Sequence, residues 1–457
     1  MMFTIQELLS GYKSREFSPV EITRQYVERA KQTEHLNAFI TVTEEIAMKQ
    51  AEIAEKKWLL GEEGHLEGIP LSYKDNYHTK NVRSTSGSKV DKDFVPKKHA
   101  ALVETLGQEG AIMIGKTNMH EFAFGITNNN PFYGPARNPW NPDLIPGGSS
   151  GGSAVSVLAN SSAASLGTDT GGSVRIPASC CGLVGLKPTK GLLSAEGVTP
   201  ISWNLDQTGP ITRNVDDLII MMNVLLRQPA KENKYPLQDL KGIRVGVPTN
   251  YFTERIEEEV LRAYHNTLQQ LEALGAVLVE VEVPHTDKSL GLTFTLATSE
   301  AGYTHKERMA THSLDAYGED VRHVLESSTG IHAVDYIEAV QWQKDISNAF
   351  DQVMENIDVF VAPTLPALPK QIGEETVTID NKEEPIFNCM IRYTSYFNLT
   401  GHPAVSLPVG LSNNNLPIGV QFVGKKLHES FLMDMAKVYE ENYLHDFYEK
   451  RKQVNPS

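Results

Sequence analysis

Residues 146 to 177 constrain this chain more than any other stretch. They include Pro146-Gly-Gly-Ser-Ser-Gly-Gly-Ser153 and Gly167-Thr-Asp-Thr-Gly-Gly-Ser-Val-Arg-Ile-Pro177. Few structural tasks need so much glycine, because each one gives up more backbone entropy on folding than any other residue. A flexible Gly/Ser linker is one reading, but Ala154, Val155, Val157 and Leu158, then Ala163 and Leu166, embed the stretch in core-like sequence. A phosphate-binding loop is another, since glycine-rich turns present N–H groups to anions. The Lys-Ser or Lys-Thr that should end such a loop is missing. The remaining reading treats the two stretches as two walls of one site. Thr170, Gly171, Gly172 and Ser173 could then turn tightly enough to aim successive backbone N–H groups at one developing oxyanion. Removing one such donor typically costs about 3 to 4 kcal/mol of transition-state stabilisation.

A serine hydroxyl is a weak nucleophile and needs a base within hydrogen-bond reach. None of the 14 histidines lies in the glycine-rich region, so a Ser-His-Asp assignment would pick its partner at random. A Ser-Lys arrangement is the alternative. Gly68-Ile-Pro-Leu-Ser-Tyr-Lys-Asp-Asn76 offers Lys74 at the end of an apolar, strand-like run, although taken alone that residue reads as a surface lysine.

The rest of the chain sets the frame. Leu8 and Leu9, then Val20, Ile22, Tyr26 and Val27, recur at helical spacing, and Ser18-Pro19 reads as a helix start; a third helix is expected over 44–57. Residues 4–58 are thus expected to be helical. From Gly68 onward short apolar runs alternate with helical stretches such as 100–108, an α/β pattern. Strands are expected at 111–115, 243–247 and 277–281, the last two flanking a helix over 254–274. The polar, proline-containing residues 228–240 read as a surface connection and 450–457 as a frayed tail. With 40% hydrophobic and 22% charged residues the chain can bury a large core. Its net charge of -15, from 42 Lys plus Arg against 57 Asp plus Glu, has the wrong sign for gripping a phosphate backbone, so nucleic acid is not expected as a direct ligand. Three cysteines, two of them adjacent at 180 and 181, read as buried and inert thiols in a reducing cytoplasm. Neither an export signal nor a membrane span is evident. His120 and Glu121 lack the second histidine that a metal motif needs, so no metal and no cofactor are expected.

Taken together, three segments resemble the amidase signature family. Gly68 to Asp75 resembles its lysine motif, Gly147-Gly-Ser149-Ser-Gly-Gly its middle serine motif, and Asp169-Thr-Gly-Gly-Ser173-Val-Arg175-Ile-Pro its nucleophile motif; the spacing 173 - 149 = 24 also suits the pattern. The resemblance extends from about residue 18 to 445 through Gly115-Lys-Thr-Asn-Met-His-Glu-Phe-Ala123, Gly185-Leu-Lys-Pro-Thr189, Leu205-Asp-Gln-Thr-Gly-Pro-Ile-Thr-Arg213 and Gly401-His-Pro-Ala-Val-Ser-Leu-Pro408. It implies one α/β domain over 1–457, with a mixed central sheet covered by helices. It also implies a Ser-Ser-Lys triad acting on a small-molecule amide: Ser173 as nucleophile, Ser149 in a cis peptide as proton relay, and Lys74 as base. Ser150, Asp169, Arg175, Asp206 and Gln207 are expected in support, with Asp169 and Arg175 as an ion pair. Phe132, Tyr133, Tyr393 and Phe397 are candidate pocket residues or plain core. A homodimer is left open.

The family includes free-standing amidases and the glutaminase component of tRNA-dependent amidotransferases, their A-type subunit, which releases ammonia from glutamine inside a complex. In that component the resemblance implies a tyrosine-rich helical segment ending in an arginine that holds the glutamine carboxylate. Aligned by hand, residues 327–343 keep Tyr336 but place Gln343 at the arginine position, a neutral amide for a planar cation. The stretch before it, about 303–326, also reads as shorter. The expectation from sequence is therefore a free-standing amidase, although Arg308 or Arg322 could reach the pocket from another direction.

Overall fold

The computed structural model describes residues 3–227 and 237–454. The first helices follow their caps. Ser18 accepts the Glu21 N–H at 3.2 Å while the Glu21 carboxylate accepts the Ser18 N–H at 2.8 Å, and Pro19 opens the helix Pro19–Gln32. That helix buries Ile22, Tyr26, Val27 and Ala30 on one face, and Ile5–Ser14 and Glu44–Leu60 accompany it; the helical expectation for 4–58 is corrected at Phe39–Val42, which is a strand paired antiparallel with 115–117 at the edge of the sheet. The helix expected over 254–274 begins later, at Glu258, because Glu257 still has extended backbone and its carboxylate accepts the Leu368 N–H.

The strands, in chain order, are β1 (Phe39–Val42), β2 (Pro70–Lys74), β3 (Ile112–Thr117), β4 (Ala164–Asp169), β5 (Val184–Lys187), β6 (Gln207–Thr212), β7 (Arg244–Pro248), β8 (Val277–Val281), β9 (Val359–Pro363), β10 (Thr376–Ile379), β11 (Lys382–Pro385), β12 (Ala404–Leu411) and β13 (Pro417–Gly424). Eleven of them form one sheet in the order β1-β3-β2-β4-β6-β5-β12-β13-β9-β7-β8, and β10 and β11 form a separate hairpin. The large sheet is mixed: β2 runs parallel to β3 and β4, while β4–β6 and β12–β13 are antiparallel. β2, β3 and β9 are buried along their whole length, which is why β3 and β9 open on consecutive apolar residues rather than alternating ones. The chain is thus a single large α/β domain with helices flanking a mixed central sheet. No helix among the described residues is long and apolar enough to cross a membrane.

Most of the polar connection read at 228–240 lies outside the described residues. The expected fraying of the tail is corrected in part. Residues up to Lys452 complete the helix His445–Lys452, and Arg451 is buried, donating to the Gly182 carbonyl at 2.9 Å and lying 4.3 Å over the Tyr448 ring.

Candidate active site

The site gathers at the ends of β2 and β4, where the two glycine-rich stretches meet. Lys74 closes β2 and is completely buried. Its ammonium nitrogen donates to Ser149 Oγ and to Thr168 Oγ1, both at 2.7 Å. Burial pushes its pKa down from 10.5 to about 7, with the charges of Asp206 and Asp169 pulling the other way. Ser149 follows a cis peptide with Gly148 and is itself fully buried. The next residue, Ser150, donates its N–H to the Ser173 carbonyl at 3.3 Å and its hydroxyl to the Thr168 carbonyl at 3.2 Å, so the middle serine turn lies against the nucleophile loop.

That loop runs from the end of β4 into the helix Arg175–Cys181. Asp169 anchors it. One carboxylate oxygen accepts the N–H groups of Val174 at 3.2 Å and Arg175 at 3.4 Å, and Arg175 pairs with the carboxylate at 3.0 Å, as expected from the sequence. Burial alone would raise the Asp169 pKa, but the Arg175 charge and hydrogen bonds, with Lys187 and Asn398, outweigh it and hold the group at about 2. Because Val174 and Arg175 spend their N–H groups on Asp169, the free donors are the residues just before them. Among the described residues, the N–H groups of Gly171, Gly172 and Ser173 donate to no protein acceptor. Gly172 has φ of 134°, and a Cβ there would run into Thr394, so the turn requires glycine. Thr394 also donates to the Gly171 carbonyl at 2.5 Å, and Thr170 donates to Asp206 at 2.7 Å. A clamped loop with unspent donors beside a near-neutral lysine and two hydroxyls is suited to acyl transfer.

Asp206 stands closer to the chemistry than an outer brace. It is partly buried, and desolvation raises its pKa to about 6 against the hydrogen bonds from Thr170, Ile201 and Ser202 and the charge of Lys74. Gln207 acts one step further out, accepting from Lys187 and donating to the Leu205 carbonyl. Three supporting side chains were missed from sequence. Thr168 could have been found, being the neighbour of Asp169 in a motif already singled out. Asn398 donates to Asp169 at 2.8 Å and Gln421 accepts from Arg175 at 3.0 Å, from 229 and 246 positions away, and no local signal marks them.

The space in front of Ser173 is lined by Phe124, Ile126, Phe294, Val324, Phe387 and Ile391 among others, with Thr170 and Gly171 also lining it beside Ser173. Of the two readings open for Phe132, Tyr133, Tyr393 and Phe397, none of the four lines this space. Tyr393 and Phe397 are buried in a separate core cluster with Phe252 and Phe350, and Phe132 is 37% exposed. His120 pairs with Asp320 at 2.8 Å, and Glu121 accepts from Ser88 and from the Gly318 N–H, so both fasten the 318–325 segment rather than face Ser173. Cys180 and Cys181 are buried, and burial raises both thiols, as an inert role requires.

The fold and this constellation define a hydrolase of the amidase signature type. The model of the family described as Amidase matches residues 21–433, and the chain belongs to that family. A solved structure described as an amidase superposes with a TM-score of 0.91 at 31% identity, covering 96% of this chain and 100% of that one. The chain is 35% identical over 473 residues to the A-type subunit of the glutamyl-tRNA(Gln) amidotransferase from Thermoanaerobacter pseudethanolicus, covering 96% of each. The structure of the corresponding protein from Thermotoga maritima superposes with a TM-score of 0.79 at 31% identity over 96% of this chain and 95% of that one. The expectation that this chain stands apart from the amidotransferase component therefore finds no support in sequence relatedness, which favours that component.

Proposed function

We propose that the chain hydrolyses carbon–nitrogen bonds of carboxylic amides through an acyl-enzyme on Ser173. The observation that carries this reading is Lys74, buried, near neutral, and in contact with the Ser149 hydroxyl at 2.7 Å. Ser173 Oγ attacks the carbonyl carbon while its proton passes through Ser149 to neutral Lys74. The oxyanion is held by N–H groups of the Thr170–Gly171–Gly172–Ser173 turn. Collapse breaks the carbon–nitrogen bond as the proton returns through Ser149 to the leaving nitrogen. Water then repeats the relay, releasing the acid and freeing Ser173.

Two finer readings share these steps. Sequence relatedness supports the glutaminase component of a tRNA-dependent amidotransferase, with ammonia as the useful product and partner subunits as its setting. One structural observation favours a free-standing amidase: Gln343 is nearly buried and donates to the Asn204 carbonyl at 3.1 Å, so this position offers no cation to a glutamine carboxylate. Arg308 is also committed, paired with Asp91 at 2.7 Å, whereas Arg322 lines the outer cleft with only a 3.7 Å contact to Asp315. The test is glutamine hydrolysis and amidation of Glu-tRNA(Gln), measured with and without added partner subunits. Strong glutamine turnover only in the complex establishes the amidotransferase reading. Hydrolysis of simple amides by the isolated chain, with no amidation in the complex, establishes the other.

A further inference from the structure

Resting on the amide-hydrolysis reading, we infer that the acyl group this site takes is short, apolar and free of negative charge. The inner pocket against Ser173 encloses about 80 Å³, and every side chain lining it is uncharged. Phe124, Ile126, Phe294, Val324, Phe387 and Ile391 form most of its wall, and the only hydroxyls besides Ser173 are those of threonines. A carboxylate placed there would lose its water and find threonine hydroxyls but no cation, which is costly. The volume is about half the roughly 150 Å³ of a cavity that accepts a benzene ring, so it suits a group smaller than that ring.

The surroundings act in the same direction. The inner pocket opens past Phe124, Phe294 and Val324 into a wider cleft of about 910 Å³. Five carboxylates line that cleft, Glu319, Asp320, Glu326, Glu374 and Glu375, against Arg322 and two histidines. An anionic substrate thus meets a net negative approach and then an unpartnered apolar wall, whereas an uncharged aliphatic amide meets neither obstacle.

The experiment measures kcat/KM of the isolated chain for acetamide, propionamide, isobutyramide, succinamate and L-glutamine, with mass spectrometry of the Ser173 adduct. The expected result is a severalfold gain per carbon up to isobutyramide, in line with burial of each added methylene. Succinamate and L-glutamine should fall at least about 100-fold below isobutyramide, the scale on which sites reject a group they leave unpaired. Ala297→Phe, which fills the pocket from the helix Ser289–Thr304, should lower the isobutyramide-to-acetamide ratio at least about tenfold. Flat rates across the aliphatic series, or succinamate or glutamine matching isobutyramide, would overturn the inference while a Ser173 adduct left amide hydrolysis standing. Absence of any adduct with every amide, both for the isolated chain and with partner subunits added, would overturn hydrolysis itself, and the inference with it.

Discussion

Lys74 and Lys116 occupy neighbouring strands and are equally buried, yet differ in whether a carboxylate meets them. In the β2–β3 register Lys116 lies opposite Tyr73, one residue before Lys74, so the pleat sends the two side chains to opposite faces of the sheet. Lys116 meets a carboxylate there: its nitrogen lies 3.2 Å from Asp75 and donates to the Tyr77 carbonyl and Ser84 hydroxyl at 2.7 Å. Lys74 meets only the hydroxyls of Ser149 and Thr168. Burial lowers both pKa values, and Asp75 opposes that directly for Lys116. A charged partner fixes a buried lysine as an ion and makes it structural. Hydroxyl partners accept from the ammonium and equally donate to the free amine, which leaves Lys74 able to exchange a proton.

Substitution separates the two roles. Ser173→Ala and Lys74→Met should each lower kcat/KM for a simple amide by about three orders of magnitude or more, as loss of a nucleophile or its base does. Thermal unfolding should show both variants folded, and more than about one per cent residual activity in Ser173→Ala would remove it from the mechanism. Lys116→Met should do the reverse. It strands Asp75 as a buried, unpaired carboxylate, so chemical denaturation should report about 3 to 5 kcal/mol less stability, with any activity loss following the folded fraction. An unchanged unfolding midpoint would mean that the two lysines are less different than their partners suggest.

The pH profile offers a smaller but sharper distinction. If the free amine of Lys74 is the active form, kcat/KM rises about tenfold per pH unit below about 7 and levels off above it, because protonation removes the base. A profile flat from about pH 6 to 10, with chemistry rate-limiting, contradicts that role. Smallest of all is the effect of Asp206→Asn on the same profile. The Asp206 charge raises the Lys74 pKa, so removing it should move the rising limb to lower pH by a fraction of a unit. Movement to higher pH would show that Asp206 acts on Lys74 by some route other than its charge.

The sequence made this comparison only half visible. Lys74, Ser149 and Ser173 sit in three glycine-marked motifs whose order and spacing are local facts, and the Asp169–Arg175 pair lies within one of them. The helix start at Ser18 was legible for the same reason, since a cap is written within four residues. What lay hidden is set by sheet order. β12 and β13 insert between β5 and β9, and so bring Gln421 to Arg175; the helix Ile386–Thr400 brings Asn398 to Asp169 and Thr394 to Gly171. The aromatic candidates stayed undecided between pocket and core because ring identity carries no facing information. Tyr393 and Phe397 share a helix with Phe387 and Ile391, yet of these four only Phe387 and Ile391 line the space in front of Ser173.

The brace on Arg175 also orders events during synthesis. Asn398 and Gln421 lie 223 and 246 positions beyond it, and Arg451 reaches Gly182, at the end of the nucleophile helix, from 269 positions beyond. A ribosome that has delivered Ser173, Ser149 and Lys74 has therefore not yet delivered the residues that hold the nucleophile turn in shape. Stalled chains ending before about residue 398 should carry all three reactive side chains and still fail to form an acyl adduct, which puromycin-free nascent-chain labelling can check. On that expectation hydrolytic competence comes near the end of translation, and a nascent chain passes most of its time on the ribosome unable to attack the amides around it.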